Sequence, residues 1–193
     1  MNKEVLRSLF LEKRKTLTGQ EFDRRNKLLL KNCLDFLAAN PQLVHCHLFL
    51  SIKKFKEPNT WPLFDQLRNS KAHEVYVSKT LFIQKRLTHF RIENDSLFET
   101  TKFGIPEPVN GTAVEPQVLD VVFVPLISCD KMGNRIGYGA GLYDRFLNEV
   151  SPNCLKVGIG ITPTLDHLDC TDEHDVPLDY FISHLGSDTF DKS

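Results

Sequence analysis

The chain has 193 residues, 41% hydrophobic and 25% charged, the mix of an ordinary globular domain with enough chain to bury a core without disulfide staples. Its 24 basic and 25 acidic side chains nearly cancel, which excludes a polybasic membrane patch and argues against non-specific nucleic-acid binding. Five cysteines, odd in number and without a CxxC pair, signal neither a zinc motif nor a disulfide framework; they predict reduced thiols in a cytoplasmic protein.

The opening segment, MNKEVLRSLFLEKRK, is charged and amphipathic and has no signal-peptide core. No apolar run reaches the ~20 residues that span a bilayer. Val5, Leu6, Leu9, Phe10 and Leu17 recur at helical spacing, so a helix runs from Lys3 to Leu17. Thr18 and Glu21 stand at capping-box spacing; the helix they start carries Phe22, Leu29, Cys33 and Leu37 and stops before Asn40-Pro41. LVHCHLFL (43–50) reads as a buried strand. TWPLFDQLRN (60–69) reads as a short helix capped by Thr60, with Pro62 in its first turn. EVYVS (74–78) and RLTHFRI (86–92) read as strands. Residues 103–116 hold three prolines and two glycines and read as an extended loop. LDVVFVP (119–125) is the strongest strand. GNRIGYGAGLYDRFLNEV (133–150) is glycine-rich, then helical from about Leu142. LKVGIGI (155–161) is another apolar strand, and a short strand lies near Tyr180–Ser183. Helices interleaved with apolar strands predict an α/β fold: one three-layer, Rossmann-like domain over residues 1–193, with a mostly parallel sheet flanked by helices and a helical N-terminus.

The most informative stretch is Arg135-Ile136-Gly137-Tyr138-Gly139-Ala140-Gly141-Leu142-Tyr143-Asp144, between a buried strand and a helix. Alternating glycines bring backbone close to a ligand, successive N–H groups make an anion nest, and Arg135 supplies a forked donor for phosphate oxygens. The physical reading is a phosphate cradle. It is not GxxxxGK[ST], nor a dinucleotide fingerprint, since GIGIT follows without an acidic residue. Asp144 stands where it can hold Mg²⁺ against bound phosphates; an ordinary first-turn aspartate is the alternative. Lys3 and Arg7 share a helix face. On the residues alone, the rest read blandly: Lys3 and Arg7 as a solvated basic face with Lys13, Arg14 and Lys15, Glu57 as an exposed loop carboxylate, and Asp172 to Asp175 as an acidic turn. His45 and His47 face one side of a strand and read as packing rather than metal ligands. Trp61 reads as core.

Taken together, KxxLR at Lys3–Arg7, Glu-x-x-Thr at Glu57–Thr60, GIPEP at Gly104–Pro108, residues 120–147 and HDVPLD (174–179) resemble the 5-formyltetrahydrofolate cyclo-ligase family, also called 5,10-methenyltetrahydrofolate synthetases. The resemblance runs in order along nearly the whole chain. It implies an ATP- and Mg²⁺-dependent closure of 5-formyltetrahydrofolate to 5,10-methenyltetrahydrofolate, with release of ADP and phosphate. It also implies roles by position. Lys3, Arg7 and the run Arg135, Ile136, Gly137, Tyr138, Gly139, Ala140, Gly141, Leu142 and Tyr143 match ATP-binding positions. Leu50, Glu57 and Tyr138 to Leu142 match folate-binding positions. Asp144 and Asp175 match magnesium positions, and Arg135, Tyr143 and Asp144 are the implied catalytic set.

Three positions depart from the family pattern. Ala140 stands where Lys or Gly is common, Leu142 where Tyr or Phe is usual, and Asn59 where an acid is common. Alanine removes a cation and resists positive φ; leucine removes an aromatic face. The alternatives are a non-catalytic folate- or nucleotide-binding relative and a small-molecule kinase using the same cradle. Nothing in the sequence demands more than a monomer.

Overall fold

The strand expected to be most apolar is the most buried: Val121, Val122, Phe123 and Val124 of β7 (Val121–Pro125) all have 0% exposure. In the computed structural model, residues 2–190 are described; Met1 and residues 191–193, the ends of the expected 1–193 domain, lie outside them. β7 sits in an eight-stranded sheet with β1 (His45–His47), β2 (Glu74–Leu81), β3 (Arg86–Arg91), β6 (Thr112–Val114), β10 (Leu155–Ile159), β11 (Tyr180–Ser183) and β12 (Gly186–Thr189), ordered β12-β11-β10-β7-β1-β2-β3-β6. The five central strands from β11 to β2 run parallel. β12, β3 and β6 add antiparallel edges. A mostly parallel sheet with helices on both faces is the expected α/β architecture.

Successive residues of β7 serve opposite faces. Val121 and Phe123 pack with Leu29, Cys33 and Leu37 of α2 (Gly19–Ala39) and Leu63, Phe64 and Leu67 of α3 (Trp61–Arg68). Val122 and Val124 pack with Phe146 and Leu147 of α4 (Leu142–Leu147). Each such burial removes about 1.5–3 kcal/mol of apolar side chain from water. Gly158 of β10 belongs to this packing: a Cβ there would lie 2.6 Å from both Leu126 and Leu178. The N-terminal helix α1 (Lys3–Lys15) docks through Phe10 on a smaller cluster with Ile127, Ile136 and Leu168. Trp61 is half-buried at the core edge against Phe64 and Phe98.

Helix starts largely follow the sequence. Thr18 accepts the Glu21 N–H at 3.2 Å, while the Glu21 carboxylate turns to Arg24 and Arg25 instead of back to the cap. Thr60 is a correction. Its hydroxyl makes no cap and donates to the Phe49 carbonyl at 2.6 Å, pinning the chain after β1. The expected strand 43–50 pairs only over His45–His47, then continues as buried chain through Leu50. The expected loop 103–116 contains two short strands. β5 (Pro106–Pro108) pairs with β4 (Phe98–Thr100), and β6 closes the sheet edge. Prolines without N–H groups keep β5 short and peripheral. The glycine stretch begins in a hairpin of β8 (Ser128–Cys129) and β9 (Arg135–Ile136). α4 stops at Leu147, so the helix expected to Val150 has fewer than two turns.

Candidate active site

β1 leads to β2 on one side and pairs with β7 on the other, so the connections reverse direction between β1 and β7. The crevice beyond the carboxyl ends at such a switch point is the usual ligand site of open α/β sheets. Here it holds a cavity of about 690 Å³, bordered by Leu48–Leu50 after β1 and by Pro125 at the end of β7. That volume suits a small-molecule site.

The cavity gathers Lys3, Arg7, Leu50, Glu57, Arg135, Gly137, Tyr138, Gly139, Ala140, Gly141, Leu142, Tyr143, Asp144 and Asp175 from five separated parts of the chain. Ile136 is the exception. It alternates with Arg135 on β9, is 1% exposed and packs under α1 with Phe10, Ile127 and Leu168, so its side chain belongs to the core and not to a ligand.

One end of the cavity is charged. Arg135 is buried and donates from Nη2 to Asp144 Oδ1 at 2.5 Å and from Nη1 to the Val176 carbonyl. Lys3 Nζ donates to Asp175 Oδ2 at 2.6 Å and to Asp172. Arg7 Nε donates to the Gly137 carbonyl at 2.9 Å. The Arg7 guanidinium lies against Gly139, whose φ is +97° and whose missing Cβ would sit 3.2 Å from Arg7 Cζ. The left-handed turns fall on Gly139 and Gly141; Ala140 between them is not among the positive-φ residues, so alanine carries no strain there. With only six residues, α4 contributes little dipole, and the cations carry the positive potential.

Arg14 corrects the solvated-face expectation for α1. It is 2% exposed, with Nη2 donating to the Tyr138 hydroxyl at 2.8 Å and Nη1 reaching the Leu126 carbonyl at 3.5 Å. Tyr138 also stands close enough to Glu57 to influence its carboxyl. Glu57 is buried too, where an exposed loop carboxylate was the plain expectation, and it accepts the Ile52 N–H at 2.6 Å. Burial raises the Glu57 pKa, opposed by that N–H, by Tyr138 and by the Arg14 charge. Burial likewise pushes up the phenols of Tyr138 and Tyr143. Each shift favours the protonated form relative to the free side chain.

The other end is apolar, with Val77, Phe82, Leu87, Ile105 and Pro106 on the wall and Ser78 and Thr80 among them. The β2–β3 hairpin and the 103–107 segment are joined by the Thr80 N–H to Glu107 bond at 2.8 Å and by the Phe82–Phe103 ring contact at 4.6 Å. Sequence reasoning missed this wall. Its only signal was apolar side chains at a hairpin tip and in a proline-rich loop, where core packing does not call for them.

Asp144 and Asp175 both border the cavity. One oxygen of each is engaged; Asp144 Oδ2 and Asp175 Oδ1 accept no hydrogen bond among the described residues. No group of three or more His, Cys, Asp or Glu that could hold a metal occurs among those residues. Two carboxylates beside a phosphate-sized cationic turn fit the habit of Mg²⁺, which takes one or two carboxylates and completes its shell with substrate phosphates and water. No described helix is long and apolar enough to cross a membrane.

Comparison with known proteins points the same way. The profile of the 5-formyltetrahydrofolate cyclo-ligase family matches residues 1–183. A 5-formyltetrahydrofolate cyclo-ligase of Mycoplasma genitalium is 26% identical over 164 residues, covering 82% of this chain and 84% of that protein. A second, from Mycoplasma pneumoniae, is 25% identical over 184 residues, covering 95% and 99%. The structure of Aquifex aeolicus 5,10-methenyltetrahydrofolate synthetase superposes with a TM-score of 0.84 at 29% identity, covering 100% of this chain and 95% of that one. A sheet of this order, a glycine turn held by α1 and a family match across nearly the whole length agree: the chain belongs to the 5-formyltetrahydrofolate cyclo-ligase family.

Proposed function

We propose that this protein converts 5-formyltetrahydrofolate to 5,10-methenyltetrahydrofolate, consuming ATP and releasing ADP and phosphate. The observation that carries the reading is the two-ended cavity. Lys3, Arg7, Arg135 and the Gly137–Gly141 turn supply a cationic seat at one end, and an apolar wall suited to a heterocycle forms the other.

The formyl oxygen attacks the γ-phosphorus as the bond to ADP breaks. N10 then attacks the activated carbon, the C–O bond breaks, phosphate leaves, and the N10 proton goes to solvent or to the phosphate. Such chemistry needs positioning and charge neutralisation more than a side-chain nucleophile. Arg135, held by Asp144 and the Val176 carbonyl, lines the cavity and is the guanidinium assigned to the phosphate oxygens. Arg7 is fixed across the turn by the Gly137 carbonyl. Tyr143 and Asp144 border the same end, and Leu50, Glu57 and Tyr138 line the way toward the apolar wall. Asp144 and Asp175 would hold Mg²⁺, which neutralises phosphate charge when bound. Tyr138 and Glu57 offer hydrogen-bonding groups to a heterocycle edge, and burial shifts the Glu57 carboxyl toward its neutral form. Five free cysteines accord with a cytoplasmic enzyme.

The test mixes purified protein with Mg·ATP and 5-formyltetrahydrofolate and follows the methenyl chromophore and phosphate release in one sample. Equal, ATP- and Mg²⁺-dependent growth of both is expected. Phosphate release without the chromophore, with another acceptor consumed, would instead indicate a small-molecule kinase, and binding without either signal a non-catalytic relative.

A further inference from the structure

Between β1 and α3 the chain turns back on itself at Lys56. The backbone there is left-handed, with φ +46° and ψ +43°, at the end of a single 3-10 turn, Lys53–Phe55. Lys56 and Lys85 are the non-glycine residues with positive φ among those described, and such a conformation persists only where the surroundings hold it. At Lys56 the holding contacts are visible. Its Nζ donates to the Leu17 carbonyl at 2.8 Å and to the Lys15 carbonyl at 2.9 Å. Lys15 is the last residue of α1, where a helix leaves carbonyls without intrahelical partners. The neighbours of Lys56 serve the cavity: Phe55 and Glu57 both border it, and Lys56 does not. Glu57 Oε2 accepts the Ile52 N–H at 2.6 Å and closes the loop, while the Phe55 ring lies 6.0 Å from that of Tyr138.

We infer that Lys56 is a positioning residue for folate recognition: its ammonium, anchored to the end of α1, keeps residue 56 left-handed, and that turn places Phe55 and Glu57 at the cavity. The inference rests on the folate reading above, in which Glu57 meets the heterocycle edge. Chain geometry carries it. A lysine prefers right-handed or extended backbone. Released from the two carbonyls, residue 56 relaxes toward those regions, the direction of the chain beyond it changes, and the Glu57 carboxylate loses its reach back across five residues to the Ile52 N–H. Both acceptors belong to backbone at the end of α1, outside the loop, so they hold the turn from a fixed point. The chain beyond Glu57 is held separately, by the Asn59 N–H on Asn26 Oδ1 at 2.6 Å and by the Thr60 hydroxyl on Phe49. The effect of Lys56 is therefore confined to residues 52–57. The same anchor sets the folate side of the cavity against the helix whose other end carries Lys3 and Arg7.

The test pairs calorimetric binding of 5-formyltetrahydrofolate without ATP with hydrogen exchange of the Ile52 amide in the ligand-free protein. Lys56→Met loses both bonds and keeps the preference against positive φ; it is expected to raise the folate Kd about fivefold to tenfold, with the ATP KM changed less than about twofold. Lys56→Arg keeps a donor on a long stem and should hold the folate Kd to within about twofold of the wild type. Lys56→Gly loses the bonds but takes the left-handed turn without strain, so its loss should fall between the two. A merely structural role reverses that order, because glycine loosens a loop more than methionine does. In a Glu57→Ala background, Lys56→Met should add less than about twofold, since its effect passes through the residue already removed. Exchange at Ile52 should speed at least about fivefold in Lys56→Met while the β7 amides keep their protection. Unchanged folate affinity in Lys56→Met, unchanged Ile52 exchange, or a Lys56→Gly variant weaker than Lys56→Met each overturns the inference. A wild type that binds the folate without turning it over overturns the cyclo-ligase reading and leaves Lys56 to be judged by these same measurements; a wild type that binds no folate overturns both.

Discussion

Arg14 Nη2 donates to the Tyr138 hydroxyl at 2.8 Å across 124 residues of sequence. This bond fastens the N-terminal helix to the glycine turn. Tyr138→Phe keeps the ring on the cavity wall but strips a partner from the buried Arg14 guanidinium. Urea unfolding should show a loss of about 1–3 kcal/mol, the usual cost of leaving buried groups unsatisfied. An unchanged unfolding midpoint would show that the network does not hold α1.

Glu57 gives a pH signature of defined sign. Its folded pKa is raised above the ordinary 4.5, chiefly by burial, so the folded state holds the proton more tightly than the unfolded chain. Its contribution to stability is fully present below that ordinary value and is lost as pH rises through the folded pKa. Glu57→Gln cannot ionise and keeps an acceptor for the Ile52 N–H. The stability of the wild type relative to this variant should therefore decline as pH climbs from 4 upward. A difference that stays flat between pH 4 and 8 would remove the burial argument.

Arg135 and Asp144 form the most buried charge pair of the cationic end, with side-chain exposures of 5% and 28%. Arg135→Ala should raise the ATP KM at least tenfold while changing the folate KM little, because the guanidinium faces phosphate chemistry. Asp144→Ala should lower kcat about 100-fold and shift the Mg²⁺ dependence to higher concentration, in a protein that still unfolds cooperatively. Equal effects of Arg135→Ala on both substrates, or unaltered turnover of Asp144→Ala at limiting Mg²⁺, would contradict these roles.

Features set by local pattern are legible in the sequence, and those set by contacts between distant segments are not. β7 could be read because a strand buried on both faces must be apolar throughout, and Thr18 because a cap has a fixed spacing. Arg14 could not be read: an arginine on a basic helix face looks identical in sequence whether water or Tyr138 receives it. Glu57 was hidden for the same reason, since its burial follows from how Thr60 pins the loop to Phe49. β5 was hidden by its own prolines. Of the site, the cationic turn announced itself through glycine spacing. The apolar wall did not, because Phe82, Ile105 and Pro106 become one surface only when the hairpin folds against the 103–107 segment.

Gly139 combines two constraints at one position, a φ of +97° and an arginine 3.2 Å from where a Cβ would stand. Gly139→Ala should weaken ATP binding at least tenfold by straining the turn and displacing Arg7, with folate binding measured alone nearly unchanged. Gly137 has open space at its Cβ position and no positive φ, so Gly137→Ala serves as the control and should cost far less. Equal losses from the two substitutions would mean that the turn has no special tolerance at residue 139.

Leu142 borders the cavity at the first turn of α4. The neighbouring Tyr143 is committed to packing, with its ring 5.8 Å from Phe146. The family resemblance places an aromatic ring at position 142, and an aromatic face against a flat heterocycle is worth about 0.5–1.5 kcal/mol beyond its area. Leu142→Phe should therefore lower the folate KM about twofold to tenfold, with the ATP KM unchanged, since the cationic end is held by Arg7, Arg135 and Lys3. Steady-state kinetics on both substrates decides it. A folate KM that rises would mean that leucine here is matched to the apolar wall opposite, so that Phe82, Ile105 and Pro106 leave no room for a ring.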